Sequence, residues 1–426
     1  MFKSPRFLAL LGFAALGAVA CGGTAASSGG GTTAACTGTV SVATELPVSG
    51  SDASDGVPTQ NGAKLAVNQA NETHVLGGSC TLTLVNKDDT NPQSGTHDPN
   101  QGAQNMTALA SDPAVVGVVG AFNSSVCEVE EPIANRANLV MISPSCTNPG
   151  LTIPGANPTI DTYSLRPTGK ITFFRVCATD FVQGDGLAEV AFNTLHATKA
   201  FVFDDEETYG QGLAQQFSQD FQALGGTVVG HASNPGTTTD FTAELQTAKA
   251  DGADLIFFGG TSSDGGGYIR EQMFDPSVGL GSLPFIGGDA IQDPQFFTEA
   301  GSDGDGSYAT VPAPNTADLS SAASFVAAYK EAYGSDPGAY SANAYDAMNI
   351  IITAIKEAIQ ANGGRLPASA QAFRETVRSD VASISYSGAI GTTTFDSNGD
   401  TNNKLLTLWE GEGGQWAYIS TLHVTG

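Results

Sequence analysis

From residue 37 onward, short apolar runs rich in β-branched residues alternate with longer stretches whose apolar positions recur every three or four residues. Val40 to Ala43, Leu82 to Val85, Val115 to Val119 and Leu139 to Ile142 predict strands. Gln60 to Gln69, Gln101 to Ala110 and Val126 to Ala137 predict the helices that follow or separate them. The rhythm resumes with strands at Ala200 to Phe203, Thr227 to Val229, Leu255 to Phe258 and Phe285 to Ile286, and helices at Gly184 to Leu195, Gly210 to Leu224, Phe241 to Ala250 and Tyr268 to Met273. Two long helical stretches, Tyr345 to Ala361 and Ala370 to Arg378, precede a final strand pair at Lys404 to Trp409 and Trp416 to Ile419. Strands alternating with helices imply βαβ units and parallel sheets. One doubly wound sheet rarely absorbs this many units, so the pattern predicts two α/β lobes. In open α/β sheets ligands bind outside the carboxyl ends of the strands, so two facing lobes predict a cleft between two such edges.

The first 36 residues break the rhythm. Lys3 and Arg6 are followed by an apolar run, Phe7 to Ala20, that ends in Ala18-Val19-Ala20 and is too short to span a bilayer. Residues 1–20 therefore read as a signal peptide. Cys21 follows directly, the arrangement of a bacterial lipoprotein whose cysteine is acylated, although an ordinary secretory signal with a chance cysteine has the same outline. Residues 21–36, rich in Gly, Ser, Thr and Ala, read as a flexible tether behind that anchor. The expected location is outside the cytoplasm, held to a membrane by lipid alone. No later run is long and apolar enough for a transmembrane helix.

Charge narrows the partners. The 426 residues carry 17 basic and 43 acidic side chains, a formal net charge of -26. Such a field repels phosphate backbones and anionic headgroups, which argues against nucleic-acid binding and electrostatic membrane docking. Of the six cysteines, Cys36 and Cys80 precede the first two strands. If those strands are parallel neighbours, their starts lie side by side and a disulfide is feasible. Cys127, at a helix start near the loop that carries Cys146, is placed to pair with it, which leaves Cys177 free.

Catalytic signatures are missing. Pro167-Thr168-Gly169-Lys170 lacks the upstream Gly and following Ser/Thr of a phosphate loop, and no G-x-S-x-G elbow occurs. The five histidines (74, 97, 196, 231 and 423) stand in no metal-binding spacing and read as surface residues. Asp204-Asp205-Glu206-Glu207 reads as helix-start capping rather than a cation site. Asp396-Ser397-Asn398-Gly399-Asp400 reads as a hairpin turn, because Thr401 stands where a calcium loop needs Gly. No enzyme, metal or cofactor is expected. Two polar loops remain. Gly120 to Ser125 joins a strand to a helix, so Ser124 is either a plain N-cap or a hydroxyl beside free helix N–H groups that suit an anion. Ile142 to Pro149 is a second such loop on the next strand, converging on the same edge.

The order of short matches along the chain resembles the periplasmic leucine/isoleucine/valine-binding proteins. It runs through Leu46-Pro47-Val48-Ser49-Gly50, Asn61-Gly62-Ala63, Lys87-Asp88-Asp89, Met141-Ile142-Ser143-Pro144, Phe174-Arg175-Val176-Cys177, Tyr209-Gly210-Gln211-Gly212 and Ile286-Gly287-Gly288-Asp289. No single motif is strong, but the ordered set covers residues 37 to 420. The resemblance implies two Rossmann-like lobes joined by a three-strand hinge, the type I periplasmic binding fold. It places lobe 1 at residues 37–179 plus 312–388 and lobe 2 at 180–311 plus 389–426. It also implies a monomeric receptor that hands an amino acid or similar solute to the permease and ATPase subunits of an ABC importer. The same fold also serves in sensors of amides, urea or amino acids.

Within the resemblance, the solute carboxylate falls to Ser124, to the backbone of Ser145 and to Thr147. The ammonium falls to Asp289, Tyr209 closes over the ligand, and Tyr340 forms the pocket wall. Asp55 and Thr261 stand where the family often has Tyr. An unpartnered polar group there would cost about 1–3 kcal/mol, so the resemblance with these departures implies a ligand carrying a polar or cationic group rather than leucine. Asp55 also reads as a carboxylate in a solvated loop.

Overall fold

The computed structural model describes residues 36–422 and 424, so the signal peptide, Cys21 and all of the tether but Cys36 lie outside the described residues. The first five strands, β1 (Thr37–Glu45), β2 (Ser79–Lys87), β3 (Val115–Gly120), β4 (Val140–Ser143) and β5 (Phe173–Arg175), form one parallel sheet in the order β2-β1-β3-β4-β5. Every residue of β3 and β4 is buried, which explains why these runs read as continuously apolar: both sheet faces are covered. Helices α1 (Ala53–Glu72), α2 (Pro99–Ser111), α3 (Ser124–Arg136) and the single turn α4 (Thr162–Leu165) fill the crossovers. Along β3, Val116 and Val119 enter the core shared with α1, and Val115 and Val118 the core shared with α2 and α3. The spacing of three comes from a register shift against β1, where Ser41 faces Val115 and Ala43 faces Val118.

The second sheet has the order β14-β13-β10-β9-β8-β6-β7. Its parallel part comprises β6 (Lys199–Asp204), β7 (Thr227–Ser233), β8 (Leu255–Gly259), β9 (Phe285–Gly287) and β10 (Ser307–Val311). Its helices are α5 (Asp180–Glu189), α6 (Thr208–Ala223), α7 (Thr242–Ala250), α8 (Gly266–Met273) and α9 (Pro294–Ala300). Phe217 of α6 stacks on Phe257 of β8 with ring centroids 3.9 Å apart, and on Phe221 at 5.4 Å, within a core otherwise built mainly of aliphatic residues.

After β10 the chain returns to the first lobe. Helices α10 (Ala323–Tyr333), α11 (Ser341–Ala361) and α12 (Ala370–Ala382) complete its core against α1, and a small hairpin, β11 (Tyr386–Gly388) with β12 (Gly391–Thr393), follows. Ala389 and Ile390 belong to that same core, and Phe395 packs on Phe174 of β5. The third passage between sheets therefore falls after the turn at Asp396–Asp400, later than the bound at 388 taken from the resemblance. The antiparallel pair β13 (Leu406–Glu412) and β14 (Gln415–Leu422) then closes the second sheet beside β10.

Disulfides join Cys36 to Cys80 and Cys127 to Cys146, while Cys177 is a buried free thiol. The first ties the starts of β1 and β2, which pair in parallel register with Gly38 opposite Cys80. Among the described residues no helix is long and apolar enough to cross a membrane.

Candidate functional site

The loops after β3 and β4 meet at the carboxyl edge of the first sheet. The Ser143 hydroxyl donates to the Ala121 carbonyl (2.7 Å), the Ser145 hydroxyl donates to the Phe122 carbonyl (2.8 Å), and the Asn148 amide donates to the Ser124 hydroxyl (3.3 Å). The Cys127–Cys146 bridge links the first turn of α3 to the second loop, fixing one relative to the other. No side chain caps α3, so its leading N–H groups keep their donor capacity, the usual feature of an anion-binding helix start. Replacing Cys127 and Cys146 by serine should destabilise the fold by about 3 kcal/mol, the scale for closing a loop of this length. Urea unfolding checks this, and an unchanged midpoint would mean that the loops are held without the bridge.

Asp289 stands opposite, where the chain leaves β9. Its carboxylate accepts from Gln183 Nε2 (2.8 Å) and the Tyr209 hydroxyl (2.8 Å) on one oxygen, and from the Tyr340 hydroxyl (2.5 Å) on the other. Burial pushes its carboxyl above the ordinary range, and these three bonds pull it back only in part. All three donors are neutral, so among the described residues a buried carboxylate is presented with no cation paired to it. Tyr340 precedes α11 in the first lobe and rests edge-on against Phe122, with centroids 5.5 Å apart, so its bond to Asp289 crosses between the lobes. Asn148 Nδ2 to the Thr208 carbonyl (2.6 Å) and the Thr208 hydroxyl to Glu128 (2.9 Å) cross as well.

Between these walls lies a small cavity lined by Phe122, Asn123, Ser124 and Ser145 on one side and Tyr209, Thr261, Asp289 and Ala290 on the other. Five of the expected residues thus line one space, and Tyr340 reaches it through Asp289. Thr147 is fully buried behind the loop, and its hydroxyl has no hydrogen-bond partner. Asp55 is placed differently from the expectation. It lies outside this cavity, on the wall of a larger one of about 460 Å³ that also includes Pro58, Ala339 and Trp409. There it is half-buried, and burial together with Asp293, Asp52 and Asp289 holds its carboxyl well above the usual range.

His97 also departs from expectation. Its side chain is only 5% exposed, and its Nδ1 is 2.7 Å from Asp52. The sequence carries no sign of this, because Asp52 lies far upstream. Phe122 and Asn123 were within reach, since they belong to the polar loop already singled out. Gln183 had no signal, being one amide among many. The acidic run does not cap α6 as expected: Asp204 and Asp205 accept from the amides of Glu206 and Glu207, both at 2.9 Å, in turns ahead of the helix, and the N-cap residue Glu207 makes no side-chain capping bond. Asp396 accepts from the amides of Asn398 (2.7 Å) and Asp400 (3.0 Å), which forms the expected turn.

Arrangement and fold now bear on identity. Residues 39–415 match the family model of the periplasmic binding proteins. The chain belongs to this family. Over 377 residues it is 26% identical to Leu/Ile/Val-binding protein homolog 1 of Brucella suis, covering 88% of this chain and 91% of that one. The leucine-binding protein LivK of Thermotoga maritima superposes with a TM-score of 0.74 at 25% identity, over 90% of this chain and 98% of that one. LivJ of Streptococcus pneumoniae, solved with isoleucine, has the same fold (TM-score 0.72, 23% identity, 90% and 100% covered). The type I periplasmic binding fold is thereby established, and the relatives within the family are solute-binding proteins of the branched-chain amino acid transport type rather than enzymes.

Proposed function

We propose that the protein is an exported, lipid-anchored, monomeric receptor that captures an amino acid or a similar zwitterion between its lobes and delivers it to the permease and ATPase of an ABC importer. The observation that carries this reading is the cavity's polarity: an uncapped helix start and Ser124 on one wall, and the unpaired carboxylate of Asp289 on the other. An α-carboxylate suits the first and an α-ammonium the second. Contacts made from both lobes stabilise the closed arrangement, so binding shifts the open–closed equilibrium. The finer reading, a solute with a polar or cationic group in preference to leucine, rests on Thr261, which lines the cavity, and not on Asp55, which lines the neighbouring one. The anchor rests on Cys21 behind its apolar run.

Calorimetric titration with the twenty L-amino acids tests the reading. A saturable heat for at least one, lost in Ser124→Ala and Asp289→Ala proteins that still melt cooperatively, is expected. Silence across the whole panel, or unchanged affinity in both variants, would refute the site. A clear preference for leucine over polar amino acids would remove the finer statement about the ligand. Cys21→Ser should move the protein from the membrane to the soluble fraction.

A further inference from the structure

A line of side chains crosses between the lobes beside the cavity. His97 Nδ1 lies 2.7 Å from Asp52 Oδ2, and the Ser263 hydroxyl lies 2.8 Å from Asp52 Oδ1. The Ser263 and Thr261 hydroxyls are 2.8 Å apart, and the Thr261 hydroxyl is 2.7 Å from Asp264 Oδ2. His97 and Asp52 belong to the first lobe, whereas Thr261, Ser263 and Asp264 follow β8 in the second. Four contacts of hydrogen-bond length therefore join five side chains.

Counting protons decides the state of the line. Each hydroxyl has one proton to donate. If both aspartates were ionised, Ser263 would donate to Asp52 and Thr261 to Asp264. The two hydroxyl oxygens would then face each other at 2.8 Å with no proton between them. One carboxyl proton repairs this. It does not belong on Asp52: that carboxyl is held below its usual range by His97 and Ser263, which prevail over the burial that opposes them. Placed on Asp264, the proton aligns every bond in one direction, from Asp264 to Thr261, to Ser263, to Asp52, where the His97 imidazolium donates from the far side.

We infer that closing the cleft takes up one proton at Asp264, which completes a hydrogen-bonded latch from Asp264 through Thr261, Ser263 and Asp52 to His97. The charges around Asp264 fit this. Asp205 and Glu207 near the start of α6 and Glu299 of α9 are acids, as is Asp52 across the cleft, and among the described residues His97 is the cation facing it. Burial, then Asp52 and Glu207, raise the Asp264 carboxyl, while His97 and the Thr261 bond lower it, and the balance is upward. His97, pushed up to about 10 chiefly by Asp52 against the effect of burial, stays charged throughout. Opening takes away Asp52 together with the larger opposing effect of His97 and returns the carboxyl to water. The loss of burial, the largest of these effects, makes the open state bind that proton less tightly.

The sign follows from linkage. A group whose pKa is higher in the closed state favours closure at low pH, and the advantage fades as pH rises through the closed-state value. Two measurements on the purified protein test this between pH 4.5 and 8. Small-angle scattering without added solute should show the compact population shrinking as pH rises. Calorimetry with the tightest-binding L-amino acid should show affinity falling by up to tenfold per pH unit, with a binding enthalpy that depends on the buffer's ionisation heat. Asp264→Asn changes one atom and supplies a permanent N–H donor to Thr261, so it should stay compact at pH 8 and lose the pH dependence. Asp264→Ala and Ser263→Ala should close less readily throughout. Wild-type scattering that does not change with pH, Asp264→Asn following the wild-type curve, or flattening by Asp205→Asn in its place would each overturn the inference. The scattering arm needs no solute, so a failure of all amino acids to bind would count against the receptor reading alone.

Discussion

Replacing Asp289 with alanine should weaken amino-acid binding by roughly 2–5 kcal/mol, the range for removing one partner of a buried, hydrogen-bonded charge pair. That is at least about thirtyfold in Kd. The loss should come without unfolding. Asp289 is buried, and its carboxyl is raised in the folded protein. Such a group stabilises the fold below its unfolded-state pKa, and that contribution is lost as pH rises through the folded value. At neutral pH its charge is therefore no asset to stability. Asp289→Asn sharpens the test, because the carboxamide oxygen still accepts from Gln183 and Tyr209 while the charge is gone. The asparagine variant should melt at or above the wild-type temperature and bind nearly as poorly as the alanine variant. If it bound as tightly as wild type, an ammonium at this position would be ruled out, and Asp289 would be only a brace for Tyr209 and Tyr340.

How legible was this in the sequence? The two parallel sheets were readable because βαβ architecture imprints itself locally. Val115 to Val119 is apolar at every position since both faces are covered, and Ser124 follows a strand end as a binding loop requires. The contents of the second wall were legible only through resemblance: nothing local to Asp289 shows that Gln183, Tyr209 and Tyr340 converge on it. His97 was misread as a surface residue because its burial depends on Asp52 and on the other lobe, neither of which leaves a mark near position 97. Asp55 was drawn into the inner cavity by analogy with an aromatic residue, but a shorter side chain on the same helix faces the neighbouring cavity. The late passage between the lobes after Asp400 was hidden for a related reason. The turn at 396–400 looks like an ordinary hairpin until its last aspartate is seen to hold a buried arginine.

That arginine supports the second large effect. Arg175 at the end of β5 is fully buried, with Nε 2.6 Å from Asp400. Its Nη1 donates to the carbonyls of Cys146 (2.9 Å) and Asn148 (2.8 Å), the two residues that flank Thr147. Its Nη2 meets the Thr152 hydroxyl, which in turn donates to Asp400 (2.9 Å). Burial opposes the guanidinium's charge, but Asp400 prevails and keeps it firmly protonated. One side chain thus ties the binding loop, the last strand of the first sheet and the turn before the final passage. Removing one member of such a pair strands the other as an uncompensated buried charge, so Arg175→Met and Asp400→Asn should each destabilise the protein by about 3–5 kcal/mol. The double variant should lose clearly less than the sum, because the stranded charge is then absent. Arg175→Lys keeps the charge without the planar fork that reaches both carbonyls. It should recover part of the stability while leaving the loop around Thr147 less fixed and amino-acid affinity reduced. Urea unfolding of the four variants, with calorimetry on the lysine variant, separates these effects. Strict additivity in the double variant would show that the two residues stabilise the fold independently, and full affinity in the lysine variant would show that the loop keeps its shape without the two carbonyl bonds.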